Sequence, residues 1–375
     1  MMVKPLNMII LIFLLIICTS CTNAKTLEKI GIITSVGYEE NKDGKIIATI
    51  SLLQVNPETS PNVTTVTSES LTSKGARLKA NLETPKTLQS GQLRVALYNE
   101  KLAKNGFIQL ADTLARDSSI SDLVYLAVVE GSTKKLLEGT KKSGDISQII
   151  FKELDQNIRG EQIPSTSLQE TLHKYYSAGQ DLVMPILKME GPNVKITGLG
   201  VFHDDMLVGK ITPNQSFFVK LINDRYKAGN FEMVLNKDDY PSLPKVKSKS
   251  KEIAIVLDTL RSKADIKLKD KEKLDFDLKV KLNARLLEIN GGVNLEDPRN
   301  IKRLEKSLNE KIEKEIKDII KYCKSKNSDV FGFGEEYRSS VYRSKLTKKK
   351  WHDMYKDIHV NVKVDFSIIR TGIVE

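Results

Sequence analysis

The chain has few of the residues that staple a fold or arm a catalytic centre. Its 375 residues include only three cysteines, four histidines and one tryptophan. Two of the cysteines, Cys18 and Cys21, close an N-terminal apolar run, so Cys323 stands alone in the body of the protein and no disulfide framework can form there. Ile301, Leu304, Leu308, Ile312, Ile316, Ile320 and Cys323 follow one another at helical spacing, which predicts a buried thiol acting as a small hydrophobe. The histidines His173, His203, His352 and His359 are scattered without metal-ligand spacing, and His203-Asp204 reads as a surface turn. Beyond residue 17, apolar runs reach at most seven residues before a charge interrupts them, which excludes further membrane-spanning helices. Phe331-Gly332-Phe333-Gly334 lacks the later glycine and the lysine with Ser or Thr of a phosphate loop, and predicts a tight turn over buried phenylalanines. No spacing suggests a nucleophile, base and oxyanion group brought together. The residues therefore assign no catalytic, cofactor-binding or metal site, and the chain is expected not to be an enzyme.

What is present begins at the N-terminus. Lys4 precedes about ten consecutive apolar residues, Met8 to Ile17, a run too short to span a bilayer and of the length of a signal-peptide core. Cys18-Thr19-Ser20-Cys21 then sets two small residues before a cysteine and resembles the lipobox read by the bacterial lipoprotein signal peptidase. Choosing Cys18 as the anchor would put bulky Ile17 where a small residue is required. The expectation is a signal peptide over residues 1–20, lipid on Cys21, and about 355 residues held by that lipid at the outer face of a membrane. The formal charge of +11 becomes +10 once Lys4 leaves with the signal. Lysines and acids are interleaved almost everywhere, as on solvated helix faces, so nucleic acid is not implied as a partner. Lys245 to Lys251 and Lys348-Lys349-Lys350 are the exceptions, read as solvated loops or as stretches facing anionic head groups.

Periodicity predicts an α+β protein with several sheet-containing domains. Lys29 to Tyr38 and Lys45 to Val55 form a hairpin about Asp43-Gly44. Pro57 to Ser73, rich in Ser, Thr, Pro and Asn, reads as an exposed loop. Helix over 75–82, strand over 93–98, helix over 102–115, strand over 123–129 and helix over 133–137 then alternate. These make an N-terminal α+β region, residues 21–185, with room for two subdomains. The C-terminal α+β domain, residues 193–375, is assigned strands at 194–202, 206–211, 253–260, 274–289 and 358–369. A helix over about 298–325 covers the packed face of its antiparallel sheet. Asp275, Asp277, Lys279 and Lys281 alternate with Phe276, Leu278, Val280 and Leu282, so one face is wet and the other packed.

Several motifs carry a family resemblance in order along the chain. Gly31 to Gly37 with its hairpin, Gly91-Gln92-Leu93-Arg94-Val95 running into Leu102 to Gly106, Arg116-Asp117 and Leu123 to Gly131 resemble the N-terminal part of the Ger(x)C family of spore germination lipoproteins. Gly198 to Phe202 with Met206 to Gly209, Leu304-Glu305, Ser328 to Gly334, Trp351 and the last strand ending near Gly372 are similar to its C-terminal half. Gln92 and Lys210 depart from the family pattern. The resemblance implies a non-catalytic, cofactor-free subunit of a nutrient germinant receptor of a Gram-positive spore former. It implies anchoring by lipid to the outer face of the spore inner membrane and assembly with polytopic A-type and B-type receptor subunits. On the residues alone two classes stay open: a solute-binding lipoprotein delivering a ligand to a transporter, which calls for two similar lobes about a cleft, and an exported hydrolase.

Overall fold

The computed structural model describes residues 29–56, 59–139, 145–223, 229–244, 251–290 and 292–371. The predicted signal segment, Cys21, residues 245–250 of the basic stretch and Gly372 lie outside them. β1 (Ile30–Glu40) and β2 (Ile46–Asn56) pair antiparallel as predicted. Asn41 Oδ1 accepts the N–H groups of Asp43 and Lys45 at 2.8 and 2.9 Å, and Gly44 takes φ +76° in the turn. Thr59–Ser70, expected as loop, is instead β3, paired antiparallel with β2 at the sheet's outer edge. Alternating Val63, Thr65, Thr67 with Thr64, Val66, Ser68 suits a pleated ribbon. At an edge, Pro61 costs no ladder bond that the sheet needs.

α1 (Ser73–Leu82) crosses back over this ribbon, and β4 (Thr87–Gln89) returns beside the start of β1. The centre of the sheet follows: β5 (Val95–Asn99), β6 (Tyr125–Val129) and β7 (Val183–Glu190) extend from β1 in parallel. The crossover after β5 is two helices rather than the single one predicted. α2 (Glu100–Asn105) stops at Gly106, whose φ of +104° no continuing helix allows, and α3 (Ile108–Ala115) restarts in a new direction. α4 (Thr133–Glu138) and α5 (Ile146–Arg159) pack one face of the sheet, while α1 to α3 and α6 (Leu168–Tyr176) pack the other.

β8 (Asn193–His203) and β9 (Met206–Ile211) pair antiparallel onto β7 and so complete the first sheet, although their alternation had grouped them with the C-terminal strands. The nine-stranded sheet therefore draws residues from both sides of 185–193. α7 (Pro213–Asn223) leads to the second sheet, β10 (Asn230–Asn236), β11 (Glu252–Asp270), β12 (Asp275–Ile289) and β13 (His359–Thr371), in that order. The β11–β12 pairing is antiparallel as expected, and so is β10–β11, although β10 itself was not among the predicted strands, but β12–β13 is parallel. The reason is the connection: α8 (Pro298–Ser325) carries the chain back along the sheet, so β13 re-enters in the direction of β12.

α8 begins where predicted, with the Asp297 carboxylate accepting from Arg299 N–H and Pro298 at the first turn. It buries Leu304, Leu308, Ile312, Ile316, Ile319, Ile320 and Cys323. Its polar side also closes the sheet. Glu305 Oε1 accepts Ile368 N–H at 2.8 Å and Asn309 Oδ1 accepts Phe366 N–H at 2.9 Å, so helix side chains occupy the outer backbone groups of the edge strand β13. One apolar core runs from the α4–α5 face of the first sheet through α7 into the layer between the second sheet and α8. The Phe217 and Phe231 rings, 4.2 Å apart, lie on that path.

Candidate functional site: the polar joint between the sheets

Three short segments that are far apart in sequence meet where the two sheets join. Residues 177–182 lead from α6 into β7, the 203–205 turn links β8 to β9, and 327–335 run from the end of α8 into α9 (Phe333–Ser340). α10 (Lys348–Tyr355) lies against all three. Asp181 and Asp329, both buried, organise the joint. Asp181 N–H donates to the Asp329 carbonyl at 2.8 Å. In return, Asp181 Oδ2 accepts Asp329 N–H at 2.8 Å and Oδ1 accepts Asp204 N–H at 3.1 Å. Asp329 then turns the chain into α9: its carboxylate accepts Gly332 N–H at 2.9 Å, Gly334 N–H at 2.8 Å and the Trp351 indole N–H at 3.0 Å. Burial above all, and the charge of Asp181 beside it, push the Asp329 carboxyl up to about 7, against the pull of these N–H donors.

The Phe331 to Gly334 segment has the structural role its glycines suggested. Gly332 sits at φ +80°, and a Cβ on Gly334 would lie 2.6 Å from both the Trp351 indole and Gly179 Cα, so the backbones touch where no side chain fits. Phe331 and Phe333 are buried beneath. Across the same contact Glu335 N–H donates to Gly179 O at 3.1 Å, and the Glu335 carboxylate accepts from Gly179 N–H at 3.2 Å and from Ser177 Oγ. The joint is thus stitched by backbone as well as side chains.

Two of the four histidines expected to be scattered come together here. His203 and His352 lie in contact, their rings tilted by 38° with centroids 4.1 Å apart. His352 Nε2 lies 3.0–3.1 Å from the two Asp181 oxygens, and its Nδ1 is 4.0 Å from Asp204 Oδ2. Burial opposes charge on this imidazole, but the hydrogen bond and charge of Asp181, with Asp204 beyond, outweigh it and hold its pKa above the ordinary value. His203 Nδ1 meets the Asn327 carbonyl at 2.6 Å and must therefore carry the proton there. Lys348 reaches Asp204 at 3.3 Å and lies 3.7 Å over the Tyr175 ring. Nothing in sequence spacing signals this cluster, since Asp181, His203 and His352 come from three segments far apart in the chain. His173 lies in α6 and His359 opens β13, away from it.

Chemically the joint is a clamp. Both nitrogens of His352 face carboxylates, so among the described contacts the imidazole serves to hold acidic groups. Cys323 lies close by on α8, and burial, with the Asp329 and Asp181 charges, pushes its thiol up to about 12, which leaves it inert. No helix among the described residues is long and apolar enough to cross a membrane. Cys21, the sequence-predicted lipidation site, lies outside the described residues.

Two family models match the chain in order, the spore germination protein N-terminal domain over residues 23–189 and the spore germination B3/GerAC-like C-terminal domain over residues 197–372. The chain belongs to this family of GerC-type spore germination proteins. It is 24% identical to spore germination protein GerQC of Bacillus cereus, over 98% of this chain and 99% of that one. It is 23% identical to spore germination protein KC of Bacillus subtilis (strain 168), over 99% and 96%. The crystal structure of the GerBC protein has the same fold, with a TM-score of 0.56 at 16% identity, covering 89% of this chain and 96% of that one.

Proposed function

We propose that this chain is the lipid-anchored, non-catalytic subunit of a nutrient germinant receptor, held at the outer face of the spore inner membrane through Cys21 and assembled with polytopic A-type and B-type subunits. The observation that carries this reading is family membership across both halves of the chain, behind an N-terminus of signal-peptide and lipobox form. A diacylglyceryl group supplies two acyl chains, enough for stable anchoring where one is marginal. Confinement to the membrane makes docking to the polytopic subunits effectively intramolecular, so small contacts suffice. The clamped joint fits such a role, because it presents both sheets to partners as one body.

The test is germination of spores lacking this protein, followed as loss of refractility across amino acids, sugars and bile salts. Loss of response to one nutrient class, with non-nutrient germination intact, is expected. An unchanged response to every nutrient in a strain freed of related receptors overturns the reading. Cys21→Ala tests the anchor by itself: the protein should leave the membrane fraction and the nutrient response should fall.

A further inference from the structure

We propose that Asp181, His203 and His352 form a three-ligand site for a divalent transition-metal ion of the zinc class, set in the joint between the two sheets. One ligand atom from each residue lies within 4.8 Å of the others, a spacing that a small side-chain adjustment closes onto a single ion. The donor set, two imidazoles and one carboxylate, suits zinc and leaves a fourth position for water. The surroundings are those of a metal site as well. The Nδ1 of His203 is taken by the Asn327 carbonyl, leaving Nε2 as its ligating nitrogen. The Nδ1 of His352 faces Asp204 Oδ2 while its Nε2 faces the Asp181 carboxylate. The carbonyl behind His203 fixes that ring's orientation and tautomer, the usual support for a metal-binding histidine, while His352 has the Asp204 carboxylate 4.0 Å behind it as a charge and not as a hydrogen-bond partner.

Charge and access favour a cation too. Asp181 and Asp329 lie at the site and Asp204 at its rim, against Lys348 as the nearby cation that the structure pairs with Asp204. His203 is half-buried, so the site opens to solvent on its side, whereas Asp181 and His352 are buried. Ligation through His352 Nε2 requires that nitrogen free of a proton, so the ion would take the place of the His352–Asp181 hydrogen bond. Its ligands come from the β7 connection, the β8–β9 turn and α10, so an ion there would tie α10 to the first sheet. This inference does not depend on the receptor reading.

The full chain, purified without a polyhistidine tag, is titrated with Co²⁺ and then Zn²⁺. We expect one cobalt per chain with visible d–d absorption of four- or five-coordinate type, lost on adding zinc, and a saturable rise in Tm of about 2–5 °C with zinc. His203→Ala, at the half-buried rim, should fold with a metal-free melt lowered by the loss of its Asn327 and His352 contacts, and should lose both the absorption and the zinc shift. His203→Gln should do the same. Asp181 is left intact because its carboxylate also holds the Asp204 and Asp329 N–H groups. Absence of the band in the wild-type chain, or an equal band in the wild-type chain and both variants, overturns the proposal.

Discussion

The central strands of the first sheet and the strands of the second bury their side chains by different rules. In β5 and β6 every residue from Val95 to Tyr98 and from Leu126 to Val129 is buried, because helices cover both faces. In β12 burial alternates: Phe276, Leu278, Val280 and Leu282 face α8 and the core, while Lys279 and Lys281 face water. The wet face of the second sheet is laced with cross-strand ion pairs, among them Arg285–Asp258 at 2.6 Å and Lys281–Asp365 at 3.7 Å. The parallel centre of the first sheet has no room for such pairs. One architecture excludes charge everywhere, and the other excludes it at every second position.

The largest expected effect breaks the comparison at its strictest point. Ala127→Lys places an unpaired ammonium between two helical layers, a cost of several kcal/mol that should leave little folded protein in a circular dichroism melt. Next is Trp351→Ala, which removes the largest fully buried side chain of the joint and the indole donor to Asp329. A loss of about 3–5 kcal/mol in urea unfolding is expected, together with new protease sensitivity near residues 327–335. Asp117→Asn tests the first sheet's surface clasp. The Lys74 ammonium at 2.6 Å, joined by Ser119 and resisted by burial, holds the Asp117 carboxyl far below the ordinary carboxylate range, and Arg77 adds a second ion pair. A carboxyl depressed in the folded state stabilises above its unfolded pKa of about 4 and loses that stabilisation as pH falls. Asp117→Asn should therefore cost about 1 kcal/mol at pH 7, after allowance for solvent screening of half-exposed Lys74, and progressively less below pH 4.

Asn309→Ala uncovers the edge of the second sheet. We expect a loss of about 1 kcal/mol and concentration-dependent self-association detectable by light scattering, since the Phe366 N–H and C=O groups lose their partner. Smallest is Lys279→Gln on the wet face of β12, expected to shift stability by less than about 0.5 kcal/mol. A large effect there would mean that the face is covered by something other than water.

Local pattern made much of the second sheet legible. The alternation in β12 and the helical spacing from Leu304 to Cys323 each identify an element and its buried face, since one side of each meets water. The helix start at Pro298 was readable for the same reason, as Asp297 caps it locally. The first sheet was less so. β3 resembled a loop because an edge strand tolerates Pro61 and polar residues, and β8 and β9 carry alternation that does not say which sheet they join. The joint was almost wholly illegible: Asp181, His203, Asp329 and His352 lie in four separate segments, and each alone reads as a surface polar residue.

The sequence by itself determined the α+β class, the family, the long capped helix, the half-wet sheet and the glycine turn at 332–334. All of these rest on interactions spanning a few residues or on the one-dimensional rhythm of burial. The tertiary structure decided the partner of each strand, the parallel closing of β13 and the meeting of two histidines with two buried aspartates. Those depend on how far-separated segments pack, and local propensity carries no record of which segments will be neighbours.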